Sequence, residues 1–262
     1  MADVVHVSSR SNAVLIRMRK LALDPVAYRK LGQIWLEGEH LCSTYAASGG
    51  QIAQAVIAEP AWEKGLLRDL ASRAESVAVV PLALMATLSA LESSPPLAFA
   101  VAWPGLGTIR PDACSVVLDR VQDAGNVGTV LRSAAAFGCT QVLALKGTAA
   151  LWSPKVLCSA MGAHFGLNLL EGLDESALAE LQVPLFAASP RATRAIHEVT
   201  LHWPCAWVFG NEGQGVSPAL QQRCSSVLRI PQPGGEESLN VAAAAAVCLY
   251  ESMRQRMVAA RP

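Results

Sequence analysis

The sequence predicts an α/β protein with a mostly parallel sheet in its second half. Short apolar runs typical of buried strands alternate with helix-like segments along the 262 residues, which is the order that βαβ units produce. Over half of the residues are hydrophobic and only 16% are charged, so the chain can bury a large core. Polar, glycine-rich segments follow three of the strands predicted in the second half. In open α/β sheets, the carboxyl ends of the strands are where ligands bind.

The first hundred residues predict a small α/β domain. Residues 8–30 carry apolar side chains at roughly helical spacing, which indicates a helix with one buried face. Strands and helices then alternate: a strand and helix over 34–50, strands at 54–60, 76–81 and 96–103, and helices at 61–74 and 82–91. Residues 104–111 are rich in Pro and Gly and predict a linker. We therefore expect one domain at 1–103 and another at 112–262.

The second half begins with a βαβ unit. We expect a strand at 115–121, a loop at 122–128, a helix at 130–137 that ends at Gly138, and a strand at 141–147. A helix and strand over 152–172, helices at 174–182 and 217–224, and strands at 183–190, 205–210 and 227–230 follow. The last helix is expected to carry Ser238, Leu239 and Asn240 in its first turn. Five alanines continue it, and their small side chains permit close packing.

The chain as a whole has no net charge, but one N-terminal segment is strongly basic. The 21 basic residues equal the 21 acidic ones, so net charge does not indicate a nucleic-acid partner, and any basic surface must be local. Residues 8–30 hold six basic residues and a single acidic one, Asp24. This segment is either a solvated helix face or a surface that contacts RNA phosphates. The basic residues are Arg10, Arg17, Arg19, Lys20, Arg29 and Lys30.

Cysteine usage and hydropathy exclude several classes of protein. Seven cysteines occur without a CxxC pair and without a histidine at metal-ligand spacing, which is typical of a reduced cytoplasmic protein that binds no metal. The first residues lack the apolar core of a signal peptide. The most apolar region, 76–107, is interrupted by Glu92 and by prolines, so we expect no membrane span.

Three loops in the second half combine glycines with polar side chains. They are the segment Asp123–Gly128, with Arg132 one turn into the next helix, the segment Asn211–Gly215, and the turn Gly234–Asn240. Glycines let backbone groups approach a ligand closely. Neither GxGxxG nor GxxxxGK[ST] is present, so a dinucleotide fingerprint and a P-loop are not supported. Each loop alone is compatible with ordinary turn chemistry.

Taken in order, the three segments resemble a known set of motifs. DAGNVGTVLRSAAAFG, VFGNEGQGVS and LRIPQPGGEESLNVAAAAAV are similar to the three motifs of the SpoU (TrmH-like) branch of the SPOUT superfamily, AdoMet-dependent RNA ribose 2′-O-methyltransferases. The resemblance spans roughly residues 114–256. It implies a C-terminal α/β domain with a deep trefoil knot, which general topology rules would exclude. It also implies a homodimer through this domain, with the active site near the subunit interface.

The N-terminal half carries a weaker resemblance. SRSNAVLIRMRKLA and WLEGEHL are similar to the L30e-like RNA-binding domain that precedes the catalytic domain in many members of the family. The implied architecture is thus an L30e-like RNA-binding domain at 1–103, a linker at 104–111 and a SpoU-type methyltransferase domain at 112–262.

The resemblance implies that S-adenosyl-L-methionine (AdoMet) is bound largely by backbone groups of the knot loops. On this chain the matching cofactor-binding positions are Ala188, Ser189, Phe209, Gly210, Asn211, Gly213, Ile230, Pro231, Gln232, Ser238, Leu239 and Asn240. Two positions depart from the common family pattern: Gln232 stands where Met is common, and Ala242 where Ser is common. Neither change removes a catalytic group that the resemblance implies.

The resemblance also implies five catalytic residues. Arg132 is proposed in the family to assist deprotonation of the ribose hydroxyl. Because a guanidinium is a very poor base, we expect it instead to bind the adjacent phosphate and stabilise the developing alkoxide. Asn126 would position Arg132 or the ribose, and Glu212 would hold the glycine-rich loop or meet the other subunit. Ser238 and Asn240 would orient the cofactor and the sugar. Simple helix capping is the alternative for Asn126, Ser238 and Asn240.

The leading hypothesis is methyl transfer from AdoMet to a ribose 2′-OH of structured RNA. The N-terminal resemblance favours 23S rRNA over tRNA. The alternative is a catalytically silent RNA-binding or ribosome-assembly factor, in which we would expect one of the five catalytic residues to be lost. A nucleotide-dependent oxidoreductase is disfavoured by the missing dinucleotide fingerprint.

Overall fold

The computed structural model describes residues 2–63, 65–90, 93–235 and 238–259. The chain divides into two compact units. The N-terminal unit holds Met1–Gly105 together with Trp152–Phe165, and the C-terminal unit holds Leu106–Leu151 and Gly166–Pro262. The first division falls inside the expected linker at 104–111. Residues Trp152–Phe165, which the sequence assigned to the second domain, group with the first unit.

The N-terminal unit is built on a five-stranded mixed sheet in the order β1-β4-β3-β5-β2. β1 and β3 run parallel to β4, whereas β5 runs antiparallel to both β2 and β3. The strands are β1 (Asp3–His6), β2 (Gln33–Glu37), β3 (Ile52–Ala58), β4 (Ser76–Val80) and β5 (Leu97–Ala102). β5 is buried along almost its whole length, as its near-continuous apolar run predicts.

The helices of this unit are mostly short. They are α1 (Ala13–Leu23), α2 (Ala27–Leu31), α3 (Glu39–Ala47), α4 (Glu59–Trp62), α5 (Gly65–Ala71), α6 (Leu82–Met85) and, from the later segment, α8 (Pro154–Ala160). α1 begins after Asn12, whose side chain accepts a hydrogen bond from the Val14 N–H, and it buries Leu15, Met18 and Leu21. Its apolar stripe is therefore the one that the spacing predicts.

The C-terminal unit is an α/β domain around a seven-stranded sheet in the order β10-β12-β9-β11-β6-β7-β8. Every pair of neighbouring strands in it runs parallel, which confirms the prediction of a mostly parallel sheet. The strands are β6 (Ser115–Asp119), β7 (Gln141–Leu145), β8 (Asn168–Leu173), β9 (Leu185–Ala188), β10 (Arg194–Ala195), β11 (Ala206–Gly210) and β12 (Ser226–Arg229).

Helices cover both faces of this sheet, as parallel strands require. They are α7 (Ala124–Ala136), α9 (Pro218–Arg223) and α10 (Val241–Ala259). On one face, Leu220 of α9 packs with Val117 and Val208 in the hydrophobic core. On the other, α10 packs against α7 and β11, and the Trp207 indole N–H donates to Ser252 Oγ over 2.8 Å. The alanines of α10 let these backbones approach closely.

Several elements differ from the sequence-based expectation. α7 begins at Ala124 rather than after Gly128 because Asp123 caps it, accepting a hydrogen bond from the Asn126 N–H. α10 begins at Val241, so Ser238 and Leu239 precede the helix instead of forming its first turn. The helix predicted at 174–182 is a 3-10 helix over Glu175–Glu180. The trefoil knot implied by the family resemblance stays a prediction.

Candidate active site

Four neighbouring strands of the C-terminal sheet bring the predicted site loops to one edge. β6, β11, β9 and β12 lie side by side and parallel. Their carboxyl ends therefore face the same way, and the loops that follow them meet there. After β6, β11, β9 and β12, in this order, come Asn126 in the first turn of α7 and then the loop residues Glu212, Ser189 and Gln232. The sheet topology thus gathers segments that are more than a hundred residues apart in the chain.

Three of the predicted catalytic residues form one hydrogen-bonded network. Asn240 Nδ2 donates to Asn126 Oδ1 over 3.0 Å, and Asn126 Nδ2 donates to Glu212 Oε1 over 3.1 Å. Each residue comes from a different one of the three motifs. Because both atoms of the Asn126 amide have a partner, its orientation is determined. The network joins the three loops at one point.

The Glu212 carboxylate also holds the start of α7. It accepts hydrogen bonds from the backbone N–H groups of Gln122 and Asp123, over 3.2 and 3.1 Å. Partial burial acts to raise the pKa of Glu212, but the hydrogen bonds from Asn126 and from the backbone outweigh it, so the pKa lies below the ordinary value of a glutamate. Glu212 is therefore an ionised acceptor that positions the first motif, rather than a proton donor.

Asn240 both bridges to the first motif and caps α10. Its Oδ1 accepts hydrogen bonds from the N–H groups of Ala242 and Ala243, over 2.8 and 3.3 Å. The capping role that the sequence offered as an alternative therefore coexists with the contact to Asn126. The two functions use different atoms of one amide.

The glycine-rich loop is shaped by Asn211 rather than by Glu212. Asn211 Oδ1 accepts from the N–H groups of Gly213 and Gln214, each over 3.0 Å, and its Nδ2 donates to the Arg120 carbonyl. Gly210 is in close contact with the far side of this loop: a Cβ added there would lie 2.1 Å from Gly215 C and from Val216 N. Only glycine fits at position 210 without moving the backbone.

An ion pair at the end of β6 supports the same loop. Asp119, only 2% exposed, pairs with Arg120 over 2.7 Å and accepts a hydrogen bond from the Ser217 N–H over 2.8 Å. Arg120 also donates to Gln214 Oε1 over 3.1 Å. Arg120 adopts a positive φ of 58°, a region that favours glycine. The pair connects the end of β6 to the loop after β11.

A cavity of about 760 Å³ opens beside the network, within the usual size range of small-molecule sites. Eleven of the twelve predicted cofactor-binding residues line it; Pro231 does not. The lining includes Ala188, Ser189, Phe209, Gly210, Asn211, Glu212, Gly213, Ile230, Gln232, Ser238, Leu239 and Asn240. Glu236 and Glu237, part of the predicted Gly234–Asn240 turn, lie outside the described residues.

Two observations fit this cavity to a nucleoside-containing cofactor. Gly210, Gly213 and Gly215 line it, and glycines allow a ligand to approach the backbone closely. Gln232 lines the cavity and its buried Oε1 has no hydrogen-bond partner within the described residues. A buried acceptor without a donor costs about 1–3 kcal/mol, and a ligand that donates to it would remove that cost.

Arg132 and Ser238 stand outside the hydrogen-bonded network. Arg132 is exposed on α7 and, among the described residues, makes no hydrogen bond or ion pair and does not line the cavity. It lies six residues after Asn126, about 9 Å along the helix axis and on another side of it. The structure therefore does not bring Arg132 to Asn126 within one chain. Ser238 is exposed at the cavity wall.

Sequence reasoning missed several residues at this site. Arg191 lines the cavity and is its one basic residue in the described part of the chain. Arg120 and Gln221 were missed as well, and they lie outside the three motifs. Gln214 belongs to the second motif but was not named as a site residue. The signal available for Arg191 was its position just after the strand that ends at Ala188.

The basic residues predicted to contact RNA lie in the N-terminal unit. Arg19 is half-buried and donates to Thr87 Oγ1 over 3.1 Å, so it is partly engaged within the fold. The guanidinium of Arg29 lies over the ring of Tyr28. The exposed members of the set are Arg10, Arg17, Lys20, Arg29 and Lys30.

In the part of the chain that is described, no group of three or more His, Cys, Asp or Glu residues is arranged to hold a metal ion. No helix in the described ranges is both long enough and apolar enough to cross a bilayer.

Comparison with known proteins identifies relatives of the chain. Residues 113–250 match the model of the SpoU rRNA Methylase family. An uncharacterised tRNA/rRNA methyltransferase of Synechocystis sp. is 31% identical over 271 residues, covering 100% of this chain and 98% of that protein. The 23S rRNA (guanosine-2′-O-)-methyltransferase RlmB of Bordetella pertussis is 38% identical over 157 residues, covering 58% of this chain and 63% of the relative.

A solved structure extends the likeness to both units. The crystal structure of an RNA 2′-O ribose methyltransferase superposes with a TM-score of 0.82 at 29% sequence identity, covering 97% of this chain and 100% of that one. The similarity therefore includes the N-terminal unit as well as the three site loops.

Proposed function

Because the chain belongs to the SpoU rRNA Methylase family, we propose that it transfers a methyl group from AdoMet to a ribose 2′-hydroxyl of RNA. The observation that carries this proposal is the network of Asn126, Glu212 and Asn240 beside the 760 Å³ cavity. It joins all three motif loops at the place where the sheet topology predicts a ligand. The resemblance seen in the sequence and the contacts in the structure thus concern the same residues.

The cavity residues are proposed to hold AdoMet. Ala188, Ser189, the segment 209–213, Ile230 and Gln232 line the walls, together with Ser238, Leu239 and Asn240 beside the network. AdoMet supplies an electrophilic methyl group on a positively charged sulfur. Alignment of this group with the attacking oxygen is the main task of the protein, because orientation alone can supply a large part of the rate enhancement.

Arg132 is proposed as the residue that activates the ribose hydroxyl. A ribose 2′-OH is a weak nucleophile, and its oxygen gains negative charge as the proton leaves. The guanidinium can bind the neighbouring phosphate with one edge and stabilise this charge with another. Asn126 and Asn240, held by Glu212, would orient the sugar at the cavity. Glu212 acts on the reaction through Asn126 and the start of α7, as a positioning residue.

A homodimer is proposed because the site within one chain is incomplete. Arg132 is exposed and does not line the cavity of its own chain. α10 also exposes the apolar side chains of Val247, Tyr250, Met257 and Val258. Association through the C-terminal unit would cover these side chains and let Arg132 of one protomer reach the site of the other.

Ribosomal RNA, and 23S rRNA in particular, is proposed as the substrate class. RlmB of Bordetella pertussis, 38% identical over 157 residues, is a 23S rRNA (guanosine-2′-O-)-methyltransferase. The N-terminal unit, which resembles an L30e-like RNA-binding module, is proposed to bind the RNA through the exposed basic residues on and beside α1. A cytoplasmic location follows from such a substrate.

The test uses purified protein, AdoMet with a radiolabelled methyl group, and total RNA from cells that lack this enzyme. Label in an rRNA band is expected. Arg132→Ala should abolish it while the protein stays folded, because Arg132 is exposed and makes no hydrogen bond or ion pair within the described structure. Failure to bind AdoMet at all would favour the alternative, a catalytically silent RNA-binding or ribosome-assembly factor.

A further inference from the structure

The side chain of Gln232 is the polar group at the site that the fold itself leaves unsatisfied. In the C-terminal unit, as far as it is described, Gln232 Oε1 is the single buried side-chain oxygen or nitrogen without a hydrogen-bond partner. Native folds keep such atoms rare because each costs about 1–3 kcal/mol. Gln232 also lines the cavity, so a ligand in the cavity is the natural source of the missing donor.

The sheet topology indicates where Gln232 lies relative to the network of Asn126, Glu212 and Asn240. β6, β11, β9 and β12 are consecutive neighbours, and adjacent strands lie about 4.8 Å apart, so the ends of β6 and β12 are roughly 14 Å apart. Asn126 follows β6, whereas Gln232 follows β12. The chain returns towards Asn126 only at Asn240. Gln232 therefore lies at the end of the cavity remote from the network.

We propose that Gln232 recognises the adenine base of the cofactor, its Oε1 accepting a hydrogen bond from the exocyclic amine. This inference rests on the proposed function. If the reacting methyl group is held beside Asn126 and Asn240, the part of AdoMet farthest from the sulfur is the base. The exocyclic amine is a hydrogen-bond donor at the outer edge of the base. It therefore matches Gln232 Oε1, the acceptor without a partner. Gln232 is then a specificity-determining residue for the purine.

A test of this hydrogen bond needs a side chain of similar length that lacks a strong acceptor. Methionine meets this requirement, because its thioether accepts hydrogen bonds only weakly. Gln232 has nearly the same length as methionine but carries a strong acceptor. Gln232→Met therefore removes the proposed hydrogen bond while it keeps the volume of the side chain.

The experiment measures calorimetric binding of two ligands to the full-length protein. One is S-adenosyl-L-homocysteine, and the other is its analogue in which hydrogen replaces the exocyclic amine. We expect wild type to prefer the amine-bearing ligand, and Gln232→Met to reduce this preference about fivefold to tenfold. Gln222→Met is the matched control: Gln222 is exposed on α9 and does not line the cavity, so the preference should not change.

The outcomes separate this inference from the proposed function. An equal ratio of the two affinities in wild type and Gln232→Met would overturn the role of Gln232, even if wild type binds S-adenosyl-L-homocysteine and methylates RNA. A loss of preference in Gln222→Met of the same size would also overturn it, because the effect would then not belong to position 232. Absence of binding to either ligand in wild type would contradict both proposals.

Discussion

At the scale of single residues, the site depends on which atoms donate and which accept. Glu212 can only accept while it is ionised, so it determines that Asn126 directs its Nδ2 towards it and its Oδ1 towards Asn240. The same carboxylate receives two backbone N–H groups at the start of α7. One side chain therefore sets the orientation of an amide and the position of a helix.

This role of Glu212 predicts a pH-dependent loss of stability in Glu212→Gln. The folded-state pKa of Glu212 is lowered, so its contribution to stability is fully present above the unfolded-state pKa of about 4.3 and is lost as the pH falls through the folded-state pKa. We expect the difference in unfolding free energy between wild type and the variant to be largest near neutral pH. Urea denaturation at neutral pH and at about pH 3 measures it. A difference of equal size at both pH values would contradict the prediction.

At the scale of elements, the loop after β11 has to pass close to its own start. Gly210 ends β11, and the chain turns through Gly213 and returns so that Gly215 and Val216 lie against it. Asn211, Asp119 and Arg120 then hold the turn in place. The wall of the cavity is therefore a tight backbone structure that tolerates few side chains.

Gly210→Ala is expected to distort this loop. The added methyl group would lie 2.1 Å from backbone atoms of Gly215 and Val216, so the loop must shift. We expect unfolding to become easier by about 1–3 kcal/mol and the affinity for S-adenosyl-L-homocysteine to fall roughly tenfold or more. Thermal melts and calorimetry measure these effects.

Gly213→Ala is the matched control for this change. The nearest atom to a Cβ at position 213 is Asn211 Oδ1 at 3.7 Å, which is ordinary contact. We expect a stability within about 0.5 kcal/mol of wild type. If both variants behave alike, close contact at Gly210 is not what shapes the cavity.

The elements that the sequence predicted well are those with a local signal. The buried strand β6 follows from an apolar run. The helix predicted at 130–137 is α7, but it begins at Ala124, five residues after the end of β6, because Asp123 caps it there. β1 was missed because all four of its residues are exposed, and β10 because it has two residues that pair only with the distant β12.

In the candidate site, too, the features with a local sequence signal were predicted and the long-range contacts were not. Polar groups after three strands were visible in the sequence, and the family resemblance related them to each other. The bonds of Asn126 to Glu212 and Asn240 were not visible, because they link positions 86 and 114 residues apart. Arg191 reaches the cavity only through the packing of loops, which no pattern in the sequence reports. Gln214 lies within the second motif, but its hydrogen bond with Arg120 was not visible in the sequence.

At the scale of the whole molecule, a neutral chain has to bind RNA through local charge. Reversing Arg17 and Lys20 to Glu, both exposed on α1, is expected to weaken RNA binding and to make its dependence on salt less steep by roughly 0.7–0.9 for each lost phosphate contact. Arg68→Glu with Arg73→Glu is the control, since both residues are exposed in the same unit and the charge change is identical. Equal weakening by both pairs, in filter binding across a salt series, would argue against a specific surface on α1.

The proposed homodimer predicts complementation between two inactive variants. If Arg132 of one protomer serves the site of the other, a mixed dimer of Arg132→Ala with Asn240→Ala contains one site with both residues intact. Random assortment would then restore about a quarter of wild-type activity. If both residues act within one chain, every site in the mixture lacks one of them, and activity would stay absent. Methyl-transfer assays of co-refolded mixtures distinguish the two arrangements.

The central claim is that the methyl group is placed on a ribose 2′-oxygen, and alkaline hydrolysis of the labelled RNA tests it most directly. Alkali cleaves RNA by attack of the 2′-hydroxyl on the adjacent phosphate, so a methylated 2′-oxygen blocks cleavage at that nucleotide. The account predicts that the label is recovered in an alkali-resistant dinucleotide and that Arg132→Ala yields none. Label released in mononucleotides would place the methyl group on a base and would contradict the account.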